Sequence, residues 1–317
     1  MEIYTNKDNT INKFIHDDGS ETCIKSVPSC SFYYNELSGK IENSSTDRNK
    51  YSVFISFSVG CPVGCKMCYL SLKNYPFCNL KKKEIYDNVI YSIKEYIRVN
   101  PENKLKYIKL CWMGMGDAFY SLHKMSEVTK NILKTVIDEG LAIGLDGVDV
   151  GTTFPKLSAN IKELEYLDEY IRKIPNLKLN NNGHKSIVRV FYSLHLINNR
   201  EKLIPKTVET KTAIKLLRSL NIDTIFHQVF IDGITDTDKN ITDLLKFFTD
   251  NPELELRILR YNECDKTNYY ESKEFINIIK KFNVLSNIKY QISQGSEIKA
   301  ACGQFILKRF QNANSMG

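Results

Sequence analysis

No apolar run in this chain approaches the length of a membrane-crossing helix. Its start, MEIYTNKDNTINKFIHDDG, lacks the hydrophobic segment of a secretory signal. Internal repeats, low-complexity tracts and a clear inter-domain linker are missing as well. These absences argue against a membrane partner and predict a cytoplasmic protein whose thiols stay reduced. An even cysteine count is also lacking. There are nine cysteines, three of them within eight residues, which fits a disulfide framework poorly and a metal site well. Nor is there a concentrated basic tract. The net charge of +7 is spread over predicted helices, so it is compatible with an RNA partner and equally with a Lys- and Asn-rich composition.

What is present is an ordinary globular balance, 42% apolar and 26% charged, over 317 residues. That length suffices for one large α/β domain or two modest ones. Tyr51–Val59 alternates apolar with small polar residues, as a strand does. Lys83–Val99 places Ile85, Val89, Ile93 and Ile97 at helical spacing. The alternation continues with strands at 107–112, 147–152, 187–194, 224–231 and 254–259 and helices at 124–138, 157–173, 208–220, 237–248 and 273–282. A short strand at 288–292 ends the series. About six strand–helix units in series predict an α/β fold, a parallel sheet curled into a partial TIM-type (β/α)6 barrel over residues 51–317. Residues 1–50 are polar and strand-like and read as a small N-terminal β module. Gly60, Gly114, Gly151 and Gly233 fall at predicted strand ends, the rim that carries catalysis in such folds, although a βα turn explains any one of them.

Cys61-Pro-Val-Gly-Cys65-Lys-Met-Cys68 follows the first barrel strand. Three thiolates at this spacing can hold a four-iron, four-sulfur (4Fe-4S) cluster and leave one iron open. The amino and carboxylate groups of S-adenosylmethionine (SAM) can chelate that iron. A zinc site completed by a distant ligand and three incidental thiols are the competing readings. Trp112-Met-Gly-Met-Gly-Asp117 stands at the end of the second strand. Its glycines, Gly116 among them, let backbone lie against the methionine portion of SAM, and Asp117 can accept from the ammonium group. Ala300-Ala-Cys302-Gly-Gln304 follows a predicted helical turn, and a lone cysteine among small residues is ordinarily a buried filler.

Together these motifs resemble the RlmN/Cfr family of radical SAM RNA methyltransferases over roughly residues 13–310, in family order. Lys13–Glu21 resembles the strand–turn–strand before the barrel, and Met113–Asp117 resembles the GMGE motif. Ser193-Leu194-His195 with Leu203-Ile-Pro205 resembles the SLH…LMP segment, and Phe230–Asp236 the MLxGVND stretch. GMGDA, Leu259-Arg-Tyr-Asn262 and Ala300–Gln304 sit nearer the Cfr side.

The resemblance implies that one SAM methylates Cys302 by displacement. A second is cleaved to a 5′-deoxyadenosyl radical that removes hydrogen from the S-methyl group. The carbon radical then adds to adenine carbon 2 or carbon 8. It further implies Glu21 as a proton acceptor and Asp117, Thr152, Ser193, Leu194, His195 and Asn262 as SAM-holding residues. Its implied partners are RNA (ribosomal or transfer) and a reducing electron donor such as flavodoxin or ferredoxin.

Four departures stand against it. The family's second cysteine, which releases the adduct through a disulfide, is Phe54 here; Cys23, Cys30, Cys78 and Cys111 are the candidate substitutes. Gly151 replaces an expected serine, with Thr152 and Thr153 beside it, and the motif glutamate is shortened to Asp117. The N-terminal RNA-gripping domain is largely absent. Phe54 and that shortened N-terminus open an alternative, a radical SAM enzyme on the same scaffold acting on a small molecule, nucleotide or peptide. A non-catalytic relative is a third reading.

Overall fold

The computed structural model describes the chain apart from residues 27–31, 36–39, 44–49, 102–105, 157–159, 181–182, 264–267, 293–294, 302–303 and 307–317; at 32–35, 40–43 and 50 only the backbone is described. The strands are β1 (Glu2–Thr5), β2 (Ile11–Ile15), β3 (Glu21–Lys25), β4 (Phe32–Asn35), β5 (Lys40–Asn43), β6 (Lys50–Ile55), β7 (Ser58–Val59) and β8 (Cys78–Asn79), then β9 (Tyr107–Trp112), β10 (Gly144–Thr152), β11 (Lys178–Leu179), β12 (Val188–Ser193), β13 (Asp223–Val229), β14 (Glu255–Leu259) and β15 (Ile288–Gln291). The α-helices are α1 (Tyr69–Leu72), α2 (Lys82–Val99), α3 (Leu122–Asp138), α4 (Glu163–Arg172), α5 (Thr210–Arg218), α6 (Asp238–Thr249) and α7 (Phe275–Phe282).

One sheet runs β1-β2-β3-β6-β9-β10-β12-β13-β14-β15-β4-β5. From β6 to β15 every neighbouring pair is parallel. A helix links each of these strands to the next, so the chain makes the expected strand–helix units and closes on β15. This is the partial barrel predicted from the alternation. β3 pairs antiparallel with β6, and β4 with β15, so strands from the first fifty residues extend the sheet at both ends.

The helices form where apolar spacing and capping agree. In α2, Ile85, Val89, Ile93 and Tyr96 share the buried face, and Glu84 reaches back to the Lys81 N–H at 2.6 Å. The Ser121 hydroxyl caps α3 by accepting the Lys124 N–H, and Thr237 does the same for Asn240 in α6. α4 starts at Glu163, several residues after the expected 157. Asn160 explains this: its side chain accepts the Lys162 N–H at 3.2 Å, a local turn that competes with helix.

One core fills the space between helices and sheet. Val53, Ile55, Ile108, Leu110, Val148 and Val150 meet α2 and α3 side chains there. The alternate residues of the same strands face the barrel interior, where charge replaces hydrocarbon. The Arg189 guanidinium bonds Asp149 at 2.6 Å, and Lys109 pairs with Asp146 at 3.3 Å. Those cations hold the Asp149 carboxyl below its ordinary value despite burial. Among the described residues, no helix is long and apolar enough to cross a membrane.

Candidate active site

The carboxyl ends of all seven parallel strands open into one cavity of about 290 Å³. Its wall includes Phe54 from β6, Gly114 after β9, Thr152 from β10, Ser193 from β12, Val229 from β13, Asn262 after β14 and Gln291 from β15. Cys61, Cys65 and Cys68 line the same space.

The cysteine loop is built by contacts from distant segments. Gly60 turns it at φ +65°, and an added Cβ would overlap the Pro76 carbonyl. The Lys66 N–H donates to the Leu203 carbonyl at 2.9 Å, and Val63 packs on Leu203 and Ile204. The Leu203-Ile-Pro205 segment is therefore the seat of the cysteine loop. Burial pushes the Cys61 thiol up to about 12 and Cys65 well above the ordinary thiol range. The Val63 and Gly64 N–H groups pull Cys61 the other way.

Among the described residues, no three His, Cys, Asp or Glu side chains converge on one point as ligands of a single metal ion would. A cluster asks for something else. It offers each thiolate a separate iron, so its ligands line a cavity instead of meeting at a point. Three thiols on one wall, with backbone N–H groups aimed at one sulfur, fit that donor set.

Asp117 is buried and its carboxylate is fully engaged. It accepts from the Phe119 N–H at 3.0 Å, the Thr153 N–H at 2.8 Å, the Thr153 hydroxyl at 2.8 Å and the Thr152 hydroxyl at 3.0 Å. Burial raises its pKa, and these donors hold the rise back. Thr152 and Thr153, beside Gly151, thus tie the second strand loop to the third. Ahead of them the GMG backbone is confined by contact. A Cβ on Gly114 would stand 2.8 Å from Ile55 backbone, and one on Gly116, at φ +88°, would overlap the Ser58 hydroxyl.

His195 sits at φ +56° and is buried. Its Nδ1 accepts the Val229 N–H at 3.2 Å, which leaves Nε2 as the protonated nitrogen. Burial, with help from Arg200, lowers its pKa to about 3. Asn240 and Gln228 hold its carbonyl at 3.1 Å each.

Of the expected site residues, Cys61, Cys65, Cys68, Gly116, Asp117, Thr152, Ser193, His195, Asn262 and Glu21 all line the cavity. The Leu194 side chain lies instead in the main core. Cys302 lies outside the described residues; its neighbours Ala300, Ala301 and Gln304 line the cavity. Of the candidate substitutes for a thiol at Phe54, Cys23 lines the cavity and stands directly opposite Phe54 across the β3–β6 pair. Cys111 is buried beside Phe54 on β9, Cys78 is exposed on β8, and Cys30 lies outside the described residues.

Residues that the sequence did not flag hold the rim together. Arg200, buried, donates to the Ser193, Leu194 and Thr153 carbonyls at 2.5–3.1 Å and to the Thr207 hydroxyl at 2.9 Å. Its ring-stacking partner is Tyr192. The Ser56 hydroxyl donates to the Glu21 carbonyl and accepts the Met115 N–H, joining β3 to the GMG loop. Phe191 and His227 meet edge to face on the cavity wall. Nothing but position, between two motifs, marks Arg200 in sequence.

The chain is similar over most of its length to known proteins. A probable dual-specificity RNA methyltransferase RlmN from Cytophaga hutchinsonii is 26% identical over 276 residues, 82% of this chain and 67% of that one. The dual-specificity RNA methyltransferase RlmN of Campylobacter hominis is 27% identical over 287 residues, 86% of this chain and 72% of that one. The chain resembles the RlmN methyltransferases. A solved radical SAM methyltransferase from Sphaerobacter thermophilus superposes with a TM-score of 0.64 over 96% of this chain and 80% of its own, at 20% identity, and so shares the fold. No protein-family model matches the chain.

Proposed function

We propose that this chain is a radical SAM enzyme that methylates an adenine carbon of ribosomal or transfer RNA through Cys302. The observation that carries the reading is one cavity. The three cysteines, the Asp117 loop, the His195 loop and both flanks of Cys302 line the same space at the strand ends. The RlmN names of the relatives support RNA as substrate class over a small molecule.

Cys61, Cys65 and Cys68 would hold a 4Fe-4S cluster, and when bound it supplies the electron, drawn from a reducing donor, that splits SAM. The chain's own residues position and exclude. The GMG backbone offers a side-chain-free surface for the methionine moiety. Asp117 fixes Thr152 and Thr153, whose hydroxyls can rotate to release a carboxylate lone pair to the SAM ammonium. His195 presents an N–H, and Asn262 stands on the same wall. Leu70, Met115 and Phe305 pack behind the cysteines and keep water from them.

The test is mass spectrometry of the Cys302 peptide from protein reconstituted anaerobically with iron, sulfide and SAM. A methyl or methylene mark is expected, with Cys68→Ala losing both the brown chromophore and SAM cleavage. A bare Cys302 in protein that still modifies RNA would overturn the assignment.

A further inference from the structure

Residues near the two ends of the sequence meet at the cavity. Ala300 packs on Ile11 and Cys23 of the β2–β3 hairpin, with Phe54 against the same cluster. Phe305 packs on Leu70 and Met115 and against Cys61 and Cys68 of the cysteine loop. Ala300 therefore lies on the N-terminal hairpin and Phe305 on the cysteine loop. Two buried charges sit at its inner edge. Lys13 is 2% exposed and Glu21 5%, and they pair at 2.6 Å. On the same face of the hairpin, each reaches across to the segment. The Lys13 ammonium donates to the Lys299 carbonyl at 2.5 Å and the Gln304 carbonyl at 3.4 Å, and stands 5.7 Å from the centre of the Phe305 ring. The second Glu21 oxygen accepts the Ile306 N–H at 2.6 Å.

A buried ion pair is a poor source of stability, because desolvating both charges costs about what their attraction returns. Apolar side chains of similar volume would fill this corner at lower cost. What they would lack is a donor for two carbonyls and an acceptor for one amide of a segment some 285 residues away in the chain. Both Glu21 oxygens already accept from a donor, so the carboxylate is occupied by holding. Burial raises it to about 7 against the pull of Lys13 and Ile306.

We infer that Lys13 and Glu21 are positioning residues, a latch that fixes Lys299, Gln304 and Ile306, described residues on either side of Cys302 in sequence, at the cavity. This rests on the reading of Cys302 as the methyl-bearing residue. The pair acts through the segment and not on SAM. Breaking it should lower the yield of methylated Cys302 for each SAM cleaved.

The experiment compares wild type, Lys13→Met, Glu21→Gln and the charge-keeping Lys13→Arg with two readouts. The first is amide hydrogen exchange of the peptide containing Ile306, in protein without cluster or SAM. Exchange in Lys13→Met and Glu21→Gln should quicken by roughly tenfold or more, the loss expected for a hydrogen bond to a charged group, with α2 unchanged as the control for folding. The second is methylated Cys302 per SAM cleaved in reconstituted protein, which should fall about tenfold in both variants and recover largely in Lys13→Arg. Unchanged exchange at Ile306 would overturn the latch. So would faster exchange with an unchanged methylation ratio, which would make the pair structural only. Full Cys302 methylation in Glu21→Gln with adduct retained on the protein would assign Glu21 to proton transfer and overturn it as well. Should Lys13→Met fail to fold, Glu21→Asp, shorter by one methylene, gives the same two readouts. A wild-type Cys302 that stays bare would sink the functional reading alone, because the exchange result still decides whether the segment is latched.

Discussion

Arg200→Lys isolates the part of the site that sequence concealed. Arg200 spends its donors on the carbonyls of Ser193, Leu194 and Thr153 and on the Thr207 hydroxyl, and its guanidinium lies over Tyr192. Lysine keeps the charge, so the substitution brings no relief from burying a cation; an ammonium is in fact the more strongly hydrated of the two. It cannot reproduce the planar fork, and at least two buried carbonyls lose their partner. At about 1–3 kcal/mol for each stranded group, and allowing for a water entering the space, the loss of stability should be about 2–4 kcal/mol. In a chain this long that corresponds to a fall in Tm of roughly 3–6 °C. Two of these carbonyls, Ser193 and Leu194, lead into His195, so SAM affinity by calorimetry should drop about tenfold as that loop loosens. Thermal unfolding of the cluster-free protein and SAM titration of the reconstituted protein check the two claims. A Tm within about 1 °C of wild type would refute the claim that these bonds carry the loop. A lowered Tm with unchanged affinity would refute the link from loop to site.

Two further outcomes are expected. Burial keeps His195, with a pKa of about 3, and His227, also well below its ordinary value, neutral in the folded protein. Both folded values lie below the unfolded value of 6.5, so each contributes stability that is fully present above pH 6.5 and lost as pH falls. Glu21, raised to about 7, acts in the opposite sense between there and its ordinary value of 4.5, so the wild-type curve alone is shallow. Against wild type, His227→Gln should therefore gain about 2 kcal/mol between pH 6.5 and pH 5 in urea unfolding, and an unchanged difference across that window would contradict a neutral His227. Separately, Phe54→Cys puts a thiol directly opposite Cys23 in an antiparallel pair, where Cα separations of about 4.5–5.5 Å suit a disulfide. Mild oxidation should link the two, read as the mass of two lost hydrogens on the joined peptides; unlinked peptides would mean that the two side chains do not meet over the cavity.

The partial barrel was legible because strand and helix announce themselves locally. Alternation marked Tyr107–Trp112 to the residue, and 3.6-residue spacing marked α2 to within one. Where the reading slipped, a competing hydrogen bond intervened. The strand expected through Val59 ends at Ile55 because Phe57 turns away and donates its N–H to the Met115 carbonyl, stitching the first rim loop to the second. α4 starts late because Asn160 closes a turn of its own. The cysteine loop and the Asp117 turn were equally readable, since each motif lies within a few residues of one strand end.

What could not be read is every contact that closes the rim across the chain. Arg200 to Thr153 spans 47 residues, Lys13 to Lys299 spans 286, and neither leaves a periodic trace. The same physics explains why these contacts matter most at the site. A loop at a strand end has no ladder to satisfy its carbonyls and amides, so it must borrow donors and acceptors from wherever the fold brings them. Buried charge is the usual lender, because one guanidinium or one ion pair satisfies several such groups at once. In this chain Arg200 does so for the His195 loop and Lys13 with Glu21 for the segment bearing Cys302. The candidate site therefore sits on short motifs, and the contacts that join those motifs to one another span the chain.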